Sequence, residues 1–130
     1  MALAELAAIV AVLLLAVIAV FQLALALGAP WGRAAWGGQH EAVLPTRLRI
    51  ASGVAAVIVY PTVILLVLAS SGLVRADRLQ GNGAVAMWFL TGLFAIGALL
   101  NLASRSRVER GWGPVSLVIA ACCAMIALGL

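Results

Sequence analysis

The chain has 130 residues, of which 66% are hydrophobic and only 9% are charged. Soluble domains contain roughly 45–50% apolar residues, because polar side chains must cover their surface. The composition therefore excludes an ordinary water-soluble fold and predicts one integral membrane domain over residues 1–130. The net charge of +4 depends on eight basic residues, and all of them are arginine.

Four apolar runs fill most of the sequence, and each is long enough to cross a bilayer as a helix. A hydrocarbon core of roughly 30 Å needs about 20 helical residues, with about 17–25 tolerated. The predicted fold is therefore all-α, a transmembrane four-helix bundle. Its helices are expected at residues 6–27, 50–74, 83–103 and 114–130. The first run lacks the basic start of a cleaved signal peptide, although Ala-Leu-Gly before Ala29 leaves that alternative open.

A long loop separates the first two helices. Residues 28–49 read GAPWGRAAWGGQHEAVLPTRLR, whereas antiparallel helices are usually joined by only about 2–8 residues. Long loops tend to be functional or disordered, and the two tryptophans of this one favour an ordered segment on the membrane surface. We expect a long interfacial loop with a short helical turn near residues 32–36.

Arginine is concentrated in two of the three loops. The first and third loops carry three arginines each, and the middle loop carries two. The positive-inside rule therefore places the first and third loops in the cytoplasm and both termini outside. The exclusive use of arginine and the abundance of alanine and glycine are typical of a high-G+C genome. The predicted location is the bacterial cytoplasmic (inner) membrane.

Polar residues inside the predicted spans are candidate sites, because a polar group in lipid is costly. The intramembrane candidates are Gln22, Tyr60, Thr62, Thr91 and Asn101. Bonding between helices is the expected role of the two amides, with contact to a solute as the alternative. The spans contain no acidic, basic or histidine residue. This disfavours an ion-coupled pump but leaves a facilitator of neutral or amphiphilic solutes open.

Other residues of the spans have expected roles in packing. Pro61 removes a backbone donor from the second helix, so a kink is expected there. Cys122 and Cys123 are adjacent and point to different faces of a helix, so we expect packing rather than a redox pair. Close approach of helices is predicted at three pairs of small residues, Ala4/Ala8, Ala7/Ala11 and Gly92/Gly97.

The first and third loops together form a basic surface with tryptophans, here called the basic face. Its candidate residues for binding anionic lipid or a partner are Arg33, Arg47, Arg49, Arg105, Arg107, Arg110, Trp31, Trp36 and His40. Each arginine near an anionic leaflet contributes about 1 kcal/mol. Orientation and general lipid contact is one interpretation, and a phosphate-bearing ligand or an acidic partner is the other. Nucleic acid is not expected on so small a surface.

Catalytic chemistry has few candidate residues. His40 and Glu41 are adjacent, and an acid–base pair acting on a lipid headgroup is one hypothesis. However, the segment HEAVL lacks the second histidine of a zinc-binding His-Glu-x-x-His helix, and His40 is the only histidine. No catalytic residue, metal site or cofactor is therefore predicted.

Two segments, GAPWGRAAWGGQHEAVLPTRLRIAS and NLASRSRVERGWGPV, resemble those of uncharacterised small four-span bacterial membrane proteins. Together they cover about a third of the chain. The resemblance implies a compact four-helix architecture and gives weight to the basic face. It implies no activity, cofactor or substrate.

Three function hypotheses follow from these features. The first is an accessory or scaffold protein without catalytic machinery, which binds lipid or a protein partner through the basic face. The second is a small oligomeric channel or transporter for a neutral or amphiphilic solute. It predicts that Tyr60, Thr62, Thr91 and Asn101 face one water-accessible cavity. The third is a lipid-modifying enzyme centred on His40. Membrane lipids are the expected partners, with a protein partner or a second copy of the chain left open.

Overall fold

The computed structural model describes residues 1–79 and 81–130, and these residues form helices, turns and loops without any strand. Four helices are long and apolar enough to cross a membrane. They are α1 (Leu3–Ala26), α2 (Thr46–Ser70), α3 (Gly83–Leu102) and α4 (Arg107–Ala127). The predicted all-α class and the four helices are thus confirmed. Loop 1 is residues 27–45, loop 2 is residues 71–82 and loop 3 is residues 103–106.

The second helix lies four residues earlier in the chain than its apolar run indicated. It begins immediately after Pro45, whose extended backbone occupies the position before the first turn. It ends at Ser70, because Gly72 has a φ of +86° and reverses the chain. Leu73 and Val74 are apolar but lie beyond that reversal. Because Leu73 and Val74 are apolar, the predicted helix ends four residues too late, at residue 74.

The fourth helix also differs from its predicted range of 114–130. A short first turn, Arg107–Arg110, precedes the main segment Trp112–Ala127, and the two are separated at Gly111. The helix ends at Ala127, and Gly129 has a positive φ of 71°. The first turn of this helix therefore contains charged residues, and a search for apolar runs does not include them.

The second helix is irregular before Pro61. Residues Ala55–Val59 form a widened, π-helical turn, and the N–H of Tyr60 donates to the carbonyl of Ala55, five residues earlier. Such a turn is one way in which a helix accommodates the missing N–H of a proline. The expected kink at Pro61 stays a prediction, and what is observed is this widened turn immediately before the proline.

The helices form a ring in which α1 packs against α2 and α4, and α3 packs against α4 and α2. Their shared core contains Ala7, Ala8 and Ala11 together with the free thiols of Cys122 and Cys123. Small residues on α1 and the two cysteines therefore have the packing role expected of them.

The glycine pair on α3 has no such role, because no atom lies within 4 Å of a Cβ added at Gly92 or Gly97. The close approach of α3 and α4 occurs instead at Gly113, where an added Cβ would lie 2.6 Å from the side chain of Leu102.

Candidate functional site

Loop 1 folds back onto the end of the bundle. It contains two short 3₁₀ turns, Gly32–Ala34 and Trp36–Gly38, which agrees with the helical turn expected near residues 32–36. Ala35 and Leu44 of this loop are buried against Leu25 of α1 and form a small second core. Burial of these side chains fixes the loop to the helices.

Three consecutive left-handed residues turn the chain at the centre of loop 1. Trp36 has a φ of 52°, followed by Gly37 at 83° and Gly38 at 71°. A positive φ is rare for a bulky residue, because its Cβ crowds the backbone. The indole N–H of Trp36 donates to the hydroxyl of Ser52 at 3.0 Å, and Ser52 is fully buried. This bond links the strained turn to α2.

Glu109 joins loop 1 to the start of α4. Its carboxylate accepts hydrogen bonds from the backbone N–H of Gly37 at 3.2 Å and from the hydroxyl of Ser104 at 3.1 Å. The side chain is buried, and no arginine among the described residues forms an ion pair with it. Loop 1 and the start of α4, 72 residues apart at this bond, therefore lie at the same end of the molecule.

Glu109 is not among the candidate site residues predicted from the sequence. A signal was present, since Ser106 and Glu109 have the Ser-x-x-Glu spacing of a helix start. The hydroxyl of Ser106 does accept from the N–H of Glu109 at 3.4 Å. The carboxylate, however, bonds to the backbone of loop 1, and only the tertiary structure reveals that partner.

The six arginines of the basic face divide into two groups. Arg49 donates from Nε to the carbonyl of Ala26 at the end of α1, at 3.2 Å. Arg110 donates from Nε to the carbonyl of Ser104 beyond the end of α3, at 3.0 Å. Arg49 thus stabilises a helix C-terminus, where carbonyls lack partners and the dipole is negative, whereas Arg110 stabilises loop 3 and also donates to the carbonyl of Arg105 at 3.4 Å. The side chains of the other four are exposed and have no hydrogen-bond or ion-pair partner among residues 1–79 and 81–130: Arg33, Arg47, Arg105 and Arg107.

A groove of about 600 Å³ lies beside loop 1, and we call it the aromatic groove. Phe21 stacks on Trp31 with ring centroids 6.2 Å apart and packs against Trp112 at 4.9 Å. The lining residues that matter below are Phe21, Trp31, Arg33, Glu41, Val108, Trp112 and Val115. One unpaired arginine therefore borders an apolar wall.

A second space of about 200 Å³ lies beneath loop 1, and we call it the inner cavity. Three of the predicted intramembrane polar residues line it, namely Gln22, Tyr60 and Asn101. The amide of Asn101 donates to the hydroxyl of Ser116 on α4 at 3.4 Å, which is the bond between helices expected of such a residue. The Oε1 atom of Gln22 is buried and has no partner among the described residues.

The other two intramembrane polar residues bond within their own helices. The hydroxyl of Thr62 donates to the carbonyl of Ile58 at 2.6 Å, and its side chain is exposed on the outside of the bundle. The hydroxyl of Thr91 donates to the carbonyl of Met87 at 2.8 Å. Neither residue lines the inner cavity.

His40 and Glu41 do not form a catalytic arrangement with each other. Neither side chain has a hydrogen-bond partner within the described part of the chain. The backbone carbonyl of His40 packs against Gly32. Across residues 1–79 and 81–130, no three His, Cys, Asp or Glu side chains come together in a group that could hold a metal ion.

Comparison of the chain with protein-family models, with curated proteins and with solved structures finds no match. A functional interpretation must therefore start from the geometry of the basic face, the aromatic groove and the inner cavity.

Proposed function

We propose that the chain is a non-catalytic integral protein of the bacterial cytoplasmic membrane whose basic face binds phospholipid. The outward faces of the helices support the membrane setting. Val20, Phe89 and Leu99 are each between 67% and 70% exposed. Soluble monomers rarely expose apolar patches larger than a few hundred Å². Hydrocarbon, which needs no hydrogen bonds from the protein surface, is the solvent that suits these faces.

The distribution of arginine gives the proposed orientation. Loops 1 and 3 meet at one end of the bundle, so six of the eight arginines lie at that end. The positive-inside rule assigns that end to the cytoplasm. Both termini then lie outside, together with loop 2.

Cysteine labelling tests this orientation. Gln39 of loop 1 and Asn82 of loop 2 are both exposed and suit single cysteines, after Cys122 and Cys123 are changed to alanine. An impermeant maleimide is expected to label Asn82→Cys in intact cells with the outer layers removed. Gln39→Cys should react only after the membrane is opened. Labelling of Gln39→Cys from outside would invert the proposed orientation.

The lipid site is proposed at the aromatic groove, and its unpaired Arg33 is the observation that carries the proposal. A guanidinium matches the oxygens of a phosphate, and it is more weakly hydrated than an ammonium. The wall formed by Phe21, Trp31 and Trp112 suits the upper part of an acyl chain, since it combines apolar rings with indole N–H groups. One lipid would thus be held at its phosphate and along its first methylene groups.

The remaining free arginines add a preference for anionic headgroups. Arg47, Arg105 and Arg107 surround the same end of the bundle, and their guanidinium groups have no partner within the described part of the chain. Arg49 and Arg110 contribute less, because their guanidinium groups already bond to backbone carbonyls. Glu41 also lines the groove, so the anionic preference depends on the surrounding arginines as well as on Arg33.

Quenching of tryptophan by phosphatidylglycerol with brominated acyl chains tests the site, because Trp31 and Trp112 line the groove. Arg33→Gln is expected to weaken binding about fivefold, which corresponds to about 1 kcal/mol for one arginine. Arg75→Gln, at the opposite end of the bundle, is the matched control and should bind like the parent. Equal affinity of Arg33→Gln and the parent would contradict the proposed site.

The channel or transporter alternative has less support. It required four polar residues around one cavity, and only Tyr60 and Asn101 line the inner cavity. The hydroxyl of Thr62 lies on the outside of the bundle. We therefore place phospholipid binding first. An enzymatic role is not proposed, because His40 has no bonded partner among the described residues.

A further inference from the structure

The inner cavity is enriched in aromatic side chains. Five of the eight aromatic residues of the chain line it: Phe21, Trp36, Tyr60, Phe94 and Trp112. Its volume of about 200 Å³ exceeds that of an engineered apolar cavity of about 150 Å³ that binds benzene. One six-membered ring with a short substituent therefore fits.

Two polar side chains of the cavity carry oxygen acceptors without a cationic partner in the described part of the chain, namely Glu109 and Gln22. Glu109 is one of the lining residues, and it is buried, with 8% of the residue exposed. Only a backbone N–H and a hydroxyl donate to this carboxylate, and no cation in the described part of the chain pairs with it. Gln22 adds a buried carbonyl oxygen without a partner among residues 1–79 and 81–130. A buried carboxylate without a cation is costly, so a positively charged ligand would be favoured here.

No arginine lines the inner cavity, although six surround this end of the molecule. Arg49 and Arg110 bond to the backbone carbonyls of Ala26 and Ser104, and Arg33 lines the aromatic groove. The carboxylate of Glu109 is thus left without a cationic partner, although six arginines lie at this end of the molecule.

Trp36 connects the cavity to the outside. It lines the cavity, yet it is 42% exposed, so it lies at the boundary between the inner cavity and the basic face. It is also the one residue other than glycine in the described chain with a positive φ. Backbone strain of this kind, about 1–3 kcal/mol, is retained where the surrounding structure enforces it, often at ligand sites. The strained turn places an indole ring against the cavity.

We propose that the inner cavity binds a small organic cation, an ammonium ion carried on an aromatic or short alkyl group. The ammonium bonds to the carboxylate of Glu109 and to the free oxygen of Gln22. The faces of Trp36, Tyr60 and Trp112 enclose the organic part and stabilise the charge through their π electrons. This ligand differs from the phospholipid of the aromatic groove in charge and size, and it contacts Glu109 and Gln22, which line only the inner cavity, although Phe21 and Trp112 line both spaces.

Two probes of equal size separate charge recognition from simple filling of the cavity. The first is benzylammonium, and the second is benzyl alcohol, which is its neutral counterpart. Each is titrated at pH 7 into the full chain in uncharged maltoside micelles, with tryptophan fluorescence as the readout and protein-free micelles as the blank. We expect benzylammonium to bind at least about tenfold more tightly than benzyl alcohol.

Glu109→Gln identifies the carboxylate as the source of that preference. A glutamine can still accept from the N–H of Gly37 and can donate to the hydroxyl of Ser104, so the link between the loops is preserved. We expect this variant to bind both probes equally, with the affinity for benzyl alcohol unchanged. Glu41→Gln removes the same charge from the aromatic groove and should keep the tenfold preference.

Three results would overturn the proposal. One is equal affinity of the two probes for the unaltered protein, and another is no binding of benzylammonium up to the order of 10 mM. The third is a preference that survives in Glu109→Gln. The comparison of probes on the unaltered chain needs no variant, so it decides the question even if Glu109→Gln does not fold.

Discussion

Replacing Gly32 by alanine is expected to lower the free energy of unfolding by about 2–4 kcal/mol. The added Cβ would lie 2.5 Å from the carbonyl oxygen of Ala42 and 2.6 Å from that of His40. Both are backbone atoms and cannot turn aside as a side chain does. The N–H of Gly32 also donates to the carbonyl of Ala42 at 2.8 Å, so relief of the overlap breaks this bond. Loop 1 should therefore detach from the bundle.

The measurement is denaturant unfolding in micelles, combined with the rate of tryptic cleavage at Arg33. Gly53→Ala is the control, because its Cβ would meet Ala26 at an ordinary 3.5 Å. It lies inside a helix, so a gain of about 0.5–1 kcal/mol is expected there. A Gly32→Ala protein with the unfolding curve and cleavage rate of the parent would contradict this geometry of loop 1.

Replacing Gly38 by alanine is expected to have a similarly large effect, about 2–4 kcal/mol, for a different reason. The φ of 71° disfavours any side chain, at a cost of about 1–2 kcal/mol. In addition, the new Cβ would overlap the Cβ of Ser106 in loop 3. The variant should therefore separate loops 1 and 3 and break the bond between Gly37 and Glu109.

Gly72→Ala is the matched control for this change. Gly72 has a φ of +86°, and no atom lies within 4 Å of an added Cβ. It therefore carries the backbone cost alone, and the difference between the variants, about 1–3 kcal/mol, measures the contact between the loops. Unfolding in micelles gives both values, and acrylamide quenching of Trp36 reports whether loop 1 has detached. Equal losses in the two variants would argue against a close contact between Gly38 and Ser106.

The four helices could be predicted because each is specified locally by a long apolar run. Their ends were predicted less well. Pro45 and Gly72 set the limits of α2, and these backbone effects act within a few residues without changing hydropathy. The turns of loop 1 were also predictable, since its two tryptophans and several apolar residues favour an ordered segment at the membrane surface.

The roles of the arginines could not be predicted from composition. Arg47 and Arg49 are two residues apart, yet only Arg49 reaches a carbonyl of α1. That difference depends on where the end of α1 lies relative to α2. By charge alone the six arginines are equivalent. In the fold, the guanidinium groups of two of them bond to backbone carbonyls, and the other four side chains are exposed without a partner among the described residues.

The sequence by itself determined four apolar helices, their connection in order, and the concentration of arginine in the two segments between the first and second helices and between the third and fourth. These properties depend on residue type and on spacing along the chain, so neighbouring residues suffice to specify them. Only the tertiary structure decided that Glu109 meets Gly37, that Trp36 adopts a left-handed backbone, and that Glu109 and five aromatic residues line one cavity. Those contacts join segments distant in sequence, and their energies depend on burial that appears only once the helices have packed.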